Sequence, residues 1–99
     1  MDCSAKEKTV IDFVLKIANE TIHAKKILLF GSRARRDHKE KSDYDFAFFQ
    51  MSHPEYWAKF VIAVEERAPT LCQIDLVNAN EIDKRFQDVI EKEGVLINE

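Results

Sequence analysis

The segment Lys26-Ile27-Leu28-Leu29-Phe30-Gly31-Ser32 is a short apolar run that stops at a glycine followed by a serine. Four consecutive apolar side chains bounded in this way predict a buried strand, and Gly31 predicts a tight turn at its end. The residues from Ser32 to Arg36 predict a short helix directly after the turn. A strand, a glycine turn and a helix in this order indicate an α/β fold.

Two further strands and three longer helices are predicted around this segment. The aromatic-rich run Asp43–Phe49 and the run Gln73–Asn78 have the composition of strands. Capping boxes at Ser4–Glu7 and Ser52–Glu55, each followed by apolar residues at helical spacing, predict two helices, and Asn80 is expected to cap a third. The order α-β-α-β-α-β-α indicates two layers, with helices packed on a small mixed sheet.

The last predicted helix has four apolar residues at helical spacing that are expected to face inward: Ile82, Phe86, Val89 and Ile90. Gly94 is expected to end this helix, and the three apolar residues after it predict a short edge segment. The C-terminal part of the chain is therefore expected to add both a helix and a strand to the sheet.

The composition is that of a soluble globule with one core. With 99 residues, of which 45% are hydrophobic, residues 1–99 are expected to form a single domain. No run approaches the roughly 20 apolar residues of a membrane span, which predicts a cytoplasmic protein without membrane contact. The net charge of −3 argues against direct nucleic-acid binding, whose affinity comes from many phosphate contacts. Cys3 and Cys72 have no CxxC spacing, so the sequence indicates neither a zinc site nor a disulfide scaffold.

Three aspartates occupy predicted strands, where a charge is costly. Asp43 and Asp45 lie two residues apart, so they share one face of the second strand, and Asp75 lies inside the third. Three carboxylates that meet on one face repel each other unless a cation lies between them. Oxygen ligands without histidine or thiolate select Mg²⁺ or Mn²⁺ over zinc. The three aspartates are therefore candidate ligands for two such ions, which would clamp the attacking and leaving oxygens of a displacement at phosphorus.

In contrast to the three carboxylates, the glycine turn and the residues after it supply hydrogen-bond donors and positive charge. Gly31 lets the backbone approach a phosphate closely, and Ser32 adds N–H and hydroxyl donors at the start of the following helix. Arg33 and Arg35, or Lys41 beyond them, are candidates to balance the charge of a triphosphate. A structural ion-pair network with these arginines is the alternative explanation for aspartates inside apolar strands.

These features form one motif, with Phe30–Arg35, Ser42–Asp45 and Ile74–Leu76 in this order and ten residues between Ser32 and Asp43. In this combination the chain resembles the polymerase-beta-like nucleotidyltransferase superfamily. Its small size is similar to that of the minimal nucleotidyltransferase (MNT) branch. The resemblance covers nearly the whole chain.

The resemblance implies a nucleotidyltransferase-like fold and an ATP- and magnesium-dependent transfer of AMP. It implies that Asp43 and Asp45 bind metal and that Asp75 is a third ligand or a base near the acceptor hydroxyl. Gly31 and Ser32 would hold the triphosphate. Many small members resemble antitoxins that inactivate a helical HEPN-type ribonuclease toxin by adding AMP to a tyrosine. The implied acceptor is a protein hydroxyl and the implied partner a HEPN-type toxin, while homo- and hetero-oligomers both stay open.

One position departs from the pattern of the family. Family members commonly have glycine where this chain has Arg36. If the backbone there has a positive φ, arginine costs on the order of 1 kcal/mol and changes the shape of the phosphate loop. Such a change would lower the catalytic activity.

Two other functions stay open from the sequence. A binding module could neutralise its partner by contact while keeping the nucleotidyltransferase shape, in which case Asp43 and Asp45 would be dispensable. An enzyme could instead act on a small hydroxylated molecule, although 99 residues leave little chain to build a pocket around it.

Overall fold

The computed structural model describes residues 7–37, 39 and 42–98. Its helices and strands follow in chain order as α1 (Glu7–Glu20), β1 (Ala24–Phe30), α2 (Ser32–Arg35), β2 (Tyr44–Met51), α3 (Trp57–Arg67), β3 (Ile74–Asn78), α4 (Lys84–Glu93) and β4 (Val95–Leu96). Short 3₁₀ turns at Pro54–Tyr56 and Ala79–Glu81 precede α3 and α4. The predicted strand, glycine turn and short helix are thus present at the expected place.

The four strands form one mixed sheet in the order β3-β2-β1-β4. β1 runs antiparallel to both β2 and β4, whereas β2 and β3 are parallel and are connected through α3. The edge segment expected after Gly94 is β4, which pairs with β1 through Leu28 and Leu29. The predicted fold class, α/β with helices packed on a small mixed sheet, is confirmed.

Alternation along β2 separates the two faces of the sheet. One face carries Tyr44, Phe46 and Phe48, which are fully buried against α1 and α3. The ring of Phe48 meets the rings of Trp57 and Phe60 edge-on, at centroid distances of 5.7 and 4.9 Å. These aromatic contacts account for much of the main core, because each buried ring removes a large apolar area from water.

The other face of β2 carries Asp45 at one end and Ala47 and Phe49 beyond it. Ala47 and Phe49 pack with Leu28 and with Ile90 of α4 in a second, smaller cluster. Asp45 therefore lies on the α4 side of the sheet, next to this smaller apolar cluster. Asp45 thus shares one face of β2 with Ala47 and Phe49.

Helix starts differ from the expectation in two places. The proposed box at Ser52–Glu55 is wrong: a 3₁₀ turn begins at Pro54, His53 precedes it, and the side chain of His53 makes no capping hydrogen bond. The backbone N–H groups of Ser52 and His53 donate to the end of the α1–β1 connection, to His23 and Ile22 respectively. These bonds hold the chain extended until residue 54, so the helix cannot begin earlier. The box proposed at Ser4–Glu7 lies largely outside the described residues.

The cap assigned to Asn80 is also wrong. Asn80 lies in the second 3₁₀ turn, where its N–H donates to Asn78 Oδ1, and α4 is capped by Asp83, whose Oδ1 accepts from the N–H of Phe86 at 2.8 Å. Part of the apolar stripe of α4 faces solvent, with Phe86 42% exposed and Val89 51% exposed. Among the four expected inward residues, Ile90 alone is buried and Ile82 is half-buried.

Two further expectations concern cysteine and membranes. Cys72 is buried and forms a disulfide, which the cysteine spacing did not indicate. Sequence spacing carries no information about which distant residues the fold brings together. Within the described ranges, no helix is both long and apolar enough to cross a lipid bilayer.

Candidate active site

Two strand pairings bring the predicted carboxylates and the glycine turn to one place. In the parallel pair β2–β3, Asp45 lies directly opposite Asp75. In the antiparallel pair β1–β2, Asp45 lies opposite Phe30, the last residue before Gly31. Asp45 is therefore central, with Asp75 on one side and the glycine turn on the other.

Asp45 has an unusual electrostatic environment. Its pKa is raised to about 6, first because burial disfavours the charged carboxylate. The second cause is Asp75, whose negative charge repels that of Asp45 and whose side chain is hydrogen-bonded to it. Asp43 raises the pKa of Asp45 further, and Arg35 opposes these effects. Such a cluster holds excess negative potential at neutral pH, which is the condition under which a divalent cation is stabilised.

The fit to a metal ion is partial. In the part of the chain that the structure describes, no group of three or more histidine, cysteine, aspartate or glutamate side chains is placed to hold an ion. Asp45 and Asp75 lie together, and Gln73 donates to Asp75 Oδ1 at 2.9 Å, whereas Asp43 is exposed just before β2 begins. Two oxygen-donor side chains are thus assembled, and Asp43 is near enough for its charge to raise the pKa of Asp45. The assignment of all three as metal ligands stays a prediction.

Gly31 takes a conformation that no other residue adopts readily. Its φ of 75° and ψ of −155° fall in a region essentially restricted to glycine. A Cβ atom built on Gly31 would collide with Oδ2 of Asp45. The carbonyl of Gly31 accepts from the N–H groups of Ala34 and Arg35, which closes the turn into α2. The glycine is therefore required both for the turn and for the close approach of the backbone to Asp45.

Arg33 does not point to a phosphate site in this structure. It is 4% exposed, and its guanidinium lies 3.9 Å from the ring centre of Tyr44. Its Nε and Nη2 donate to the carbonyl of Ser42 at 3.1 and 3.0 Å, and its Nη1 pairs with Glu7 at 3.2 Å. These contacts join the glycine turn to the residues just before β2. In these contacts the guanidinium of Arg33 holds the loop together, and its assignment to the nucleotide stays a prediction.

Arg36 has the positive φ that glycine would favour. Its φ is 65° and its ψ 24°, in the left-handed region, where it forms the C-cap of α2. Its side chain donates to Glu7 Oε1 at 2.8 Å and to the carbonyl of Arg33 at 3.1 Å. These bonds offset the backbone cost, which is about 1 kcal/mol. The turn therefore forms without glycine at this position.

Glu7 is a residue that sequence reasoning missed. One carboxylate oxygen pairs with Arg33 and the other with Arg36, so the first turn of α1 holds two of the three arginines that follow the glycine turn. In the sequence, Glu7 was only the last residue of the capping box proposed at Ser4–Glu7. Nothing in its spacing pointed to arginines almost 30 positions away.

Replacing Glu7 by glutamine should lower the free energy of unfolding by about 1 to 3 kcal/mol, because a buried guanidinium then loses an anionic partner. Urea unfolding at pH 7 measures this. Asp12→Asn is the matched control, since Asp12 pairs at 2.8 Å with the exposed Lys8 and its loss should cost under about 0.5 kcal/mol. Equal effects of the two substitutions would show that Glu7 does not hold the loop.

Arg35 is the arginine that faces the carboxylate cluster. Its side chain is 49% exposed and pairs with Asp37 at 3.1 Å and with Glu93 at 3.5 Å. Glu93, the last residue of α4, also accepts the N–H of Gly31 at 3.1 Å. Nothing in the sequence pattern linked Glu93, at the end of α4, to the glycine turn.

A family model described as "Polymerase beta, Nucleotidyltransferase" matches residues 13–99. The chain belongs to this nucleotidyltransferase family. No curated protein matches it significantly. Among solved structures, a chain from a toxin–antitoxin crystal structure with AMP-PNP is similar, with a TM-score of 0.60 and 19% identity over 87% of this chain and 70% of that one. A provisionally assigned nucleotidyltransferase from Sulfolobus solfataricus is also similar, with a TM-score of 0.51 and 25% identity over 90% of this chain and 76% of that one.

The matched segment of this nucleotidyltransferase contains the glycine turn and all three aspartates. Glu7 precedes the segment, although it holds the loop that the segment contributes. The resemblance of the sequence to the polymerase-beta-like superfamily is thus confirmed. The fold arranges Gly31, Asp45 and Asp75 side by side at one end of the sheet.

Proposed function

We propose that this nucleotidyltransferase uses ATP and Mg²⁺ to move AMP onto the hydroxyl group of a protein. The observation that carries the proposal is the packing of Gly31 directly against Asp45, which in turn lies opposite Asp75. A glycine turn beside paired carboxylates suits a metal-bound triphosphate, which the backbone can approach closely. The activity of the family supports the same reaction class.

Each part of the site has a role in this reaction. Asp43, Asp45 and Asp75 would hold Mg²⁺, or Mn²⁺, with room for two ions in the family arrangement. When bound, the metal neutralises charge on the triphosphate and on the departing pyrophosphate. The backbone and hydroxyl of Ser32 and the guanidinium of Arg35 would hold the phosphates, while Asp75 would orient the acceptor hydroxyl and accept its proton. The acceptor oxygen forms a bond to the α-phosphorus, and the bond from that phosphorus to the pyrophosphate breaks.

The proposed partner is a HEPN-type ribonuclease toxin, with this chain as its antitoxin. The similar fold in a toxin–antitoxin structure that contains AMP-PNP supports both a protein partner and a nucleotide ligand. Because such a toxin acts on cellular RNA, we place the reaction in the cytoplasm. A hetero-oligomer with the toxin would present the acceptor tyrosine to Asp75.

A second candidate function is neutralisation by contact without catalysis. It is favoured by one observation, the separation of the exposed Asp43 from the Asp45–Asp75 pair. In that case the carboxylates would be remnants and the partner would be held by complementary surface alone. The two functions differ in their dependence on the aspartates.

The test is incubation with α-labelled ATP and Mg²⁺ in the presence of a HEPN-type toxin from the same genome. Label should appear on the toxin with the wild type and with the control Asp12→Asn, and should be lost with Asp43→Asn. A stable complex that suppresses ribonuclease activity equally well with Asp43→Asn, and without label, would establish neutralisation by contact instead.

A further inference from the structure

Glu93 places a negative charge inside the proposed phosphate site. Its Oε1 accepts the N–H of Gly31 at 3.1 Å, and the same oxygen lies 3.5 Å from Nη1 of Arg35. One donor is on the glycine turn and the other is on the arginine that faces the carboxylate cluster. A single carboxylate oxygen shared by a backbone N–H and a guanidinium has the donor arrangement that a phosphate oxygen would have.

We propose that Glu93 sets the affinity for the nucleotide by occupying these two donors in the nucleotide-free protein, so that the triphosphate must displace it. The proposal rests on the proposed function, which assigns Gly31 and Arg35 to the phosphates. Glu93 thereby competes with the substrate for these two donors and controls access to the glycine turn. It does not touch the reacting phosphorus.

Charge and geometry both favour displacement of Glu93 by the triphosphate over simultaneous binding of the two to the same donors. A triphosphate that reached the turn would meet Glu93 as a like charge at contact distance, which disfavours binding of both. The Glu93 side chain is 30% exposed, so it has a path toward solvent. Arg35 keeps a second partner, Asp37 at 3.1 Å, while it exchanges Glu93 for phosphate. The exchange therefore requires side-chain rotation and leaves the sheet unchanged.

A purely structural role for Glu93 makes the opposite prediction. If Glu93 only held Gly31 in its positive-φ conformation, its loss would loosen the turn and weaken nucleotide binding. Glutamine separates the two roles, because its amide oxygen can still accept the N–H of Gly31 while the charge is removed. Alanine removes both the charge and the acceptor.

The experiment is calorimetric titration of the whole chain with Mg²⁺ and AMP-PNP, comparing wild type, Glu93→Gln and Glu93→Ala. The matched control is Glu91→Gln, which makes the same charge change on α4 but removes a pair with Lys26 at 3.1 Å. We expect Glu93→Gln to tighten binding about three- to tenfold, as for loss of one repulsive charge near the ligand. The control should change the affinity less than about twofold, because exposed pairs contribute little.

A second titration uses tripolyphosphate without metal, which probes the anion site independently of nucleotidyl transfer. Tighter tripolyphosphate binding by Glu93→Gln than by wild type or Glu91→Gln would support the role of Glu93, even if no AMP transfer were found. AMP transfer with unchanged affinities in Glu93→Gln would overturn the role of Glu93 and leave the proposed function intact. Weaker binding of either ligand to Glu93→Gln would also overturn it, because removal of a repulsive charge would then not have favoured the anion.

Discussion

Asp45→Asn should abolish nucleotidyl transfer and at the same time make the metal-free protein more stable at pH 8. Loss of a proposed metal ligand at the centre of the site should lower the rate by about 1,000-fold or more, equivalent to at least about 4 kcal/mol of transition-state stabilisation. Steady-state transfer from α-labelled ATP measures this loss. The stability gain follows from the electrostatics of the same side chain.

The sign of the stability change comes from the raised pKa of Asp45. In the folded protein that pKa is about 6, mainly because of burial and then because of Asp75, whereas the usual value is 3.8. The folded state therefore binds a proton more tightly, and stability falls as the pH rises from about 4 through 6. Above pH 6 the full cost applies, about 1 to 2 kcal/mol after allowance for solvent screening of a partly buried group.

The neutral asparagine avoids this cost and can still hydrogen-bond to Asp75. Urea unfolding should therefore show Asp45→Asn to be more stable than wild type at pH 8 and equal to it at pH 4. Asp88→Asn is the control, because Asp88 is exposed and pairs only locally with Lys84 in the described structure. The same stability gain at both pH values would contradict the electrostatic explanation.

Magnesium should stabilise the wild type and leave the stability of Asp45→Asn unchanged. Binding to the folded state alone raises its stability by about 2.7 kcal/mol at a hundredfold excess over the dissociation constant. Wild type should gain this in the presence of Mg²⁺ and ATP, and Asp45→Asn should not. The clustered carboxylates thus destabilise the metal-free protein at a place where a bound cation would stabilise it.

The sequence was sufficient to predict the strands, the glycine turn and the pairing of aspartates on one face. Apolar runs and period-two alternation report local burial, so β1, β2 and β3 were placed within a few residues. β2 and β3 are parallel neighbours, and their observed register sets Asp45 opposite Asp75. Short-range chemistry and the resemblance together therefore predicted the core of the site.

The parts that could not be predicted depend on long-range contacts. Arg33 and Arg35 are two positions apart and chemically identical, yet one is buried over Tyr44 and the other faces the carboxylates. What separates them is the direction of each side chain from α2, together with acceptors contributed by Glu7 and Glu93 from opposite ends of the chain. No local pattern encodes those pairings.

The start of α4 is a second example. Polar residues at Asn78, Asn80 and Asp83 each resemble a helix cap in the sequence. The 3₁₀ turn at Ala79–Glu81 uses the first of these side chains, and α4 uses the last. Because three competing caps lie within six residues, tertiary packing decides which one begins the helix.

Gly31→Ala should cause the other large effect, a loss of stability of about 2 to 3 kcal/mol together with a loss of transfer of at least about 100-fold. The backbone of Gly31 has a φ of 75° and a ψ of −155°, which an L-residue adopts only with strain. The new methyl group would also collide with Oδ2 of Asp45. The collision displaces the one carboxylate that touches both the turn and Asp75.

Ser32→Ala is the control for Gly31→Ala, because it changes the adjacent residue without introducing backbone strain. It removes a hydroxyl from the adjacent position without demanding an unusual φ, so it should weaken triphosphate binding while changing stability by less than about 0.5 kcal/mol. Thermal unfolding and titration with AMP-PNP would be measured on both variants. If Gly31→Ala kept wild-type stability, the backbone would have to relax without moving Asp45, and the close packing of turn against carboxylate could not be the basis of the site. If stability fell but AMP-PNP affinity did not, the turn would be structural and the phosphates would bind elsewhere.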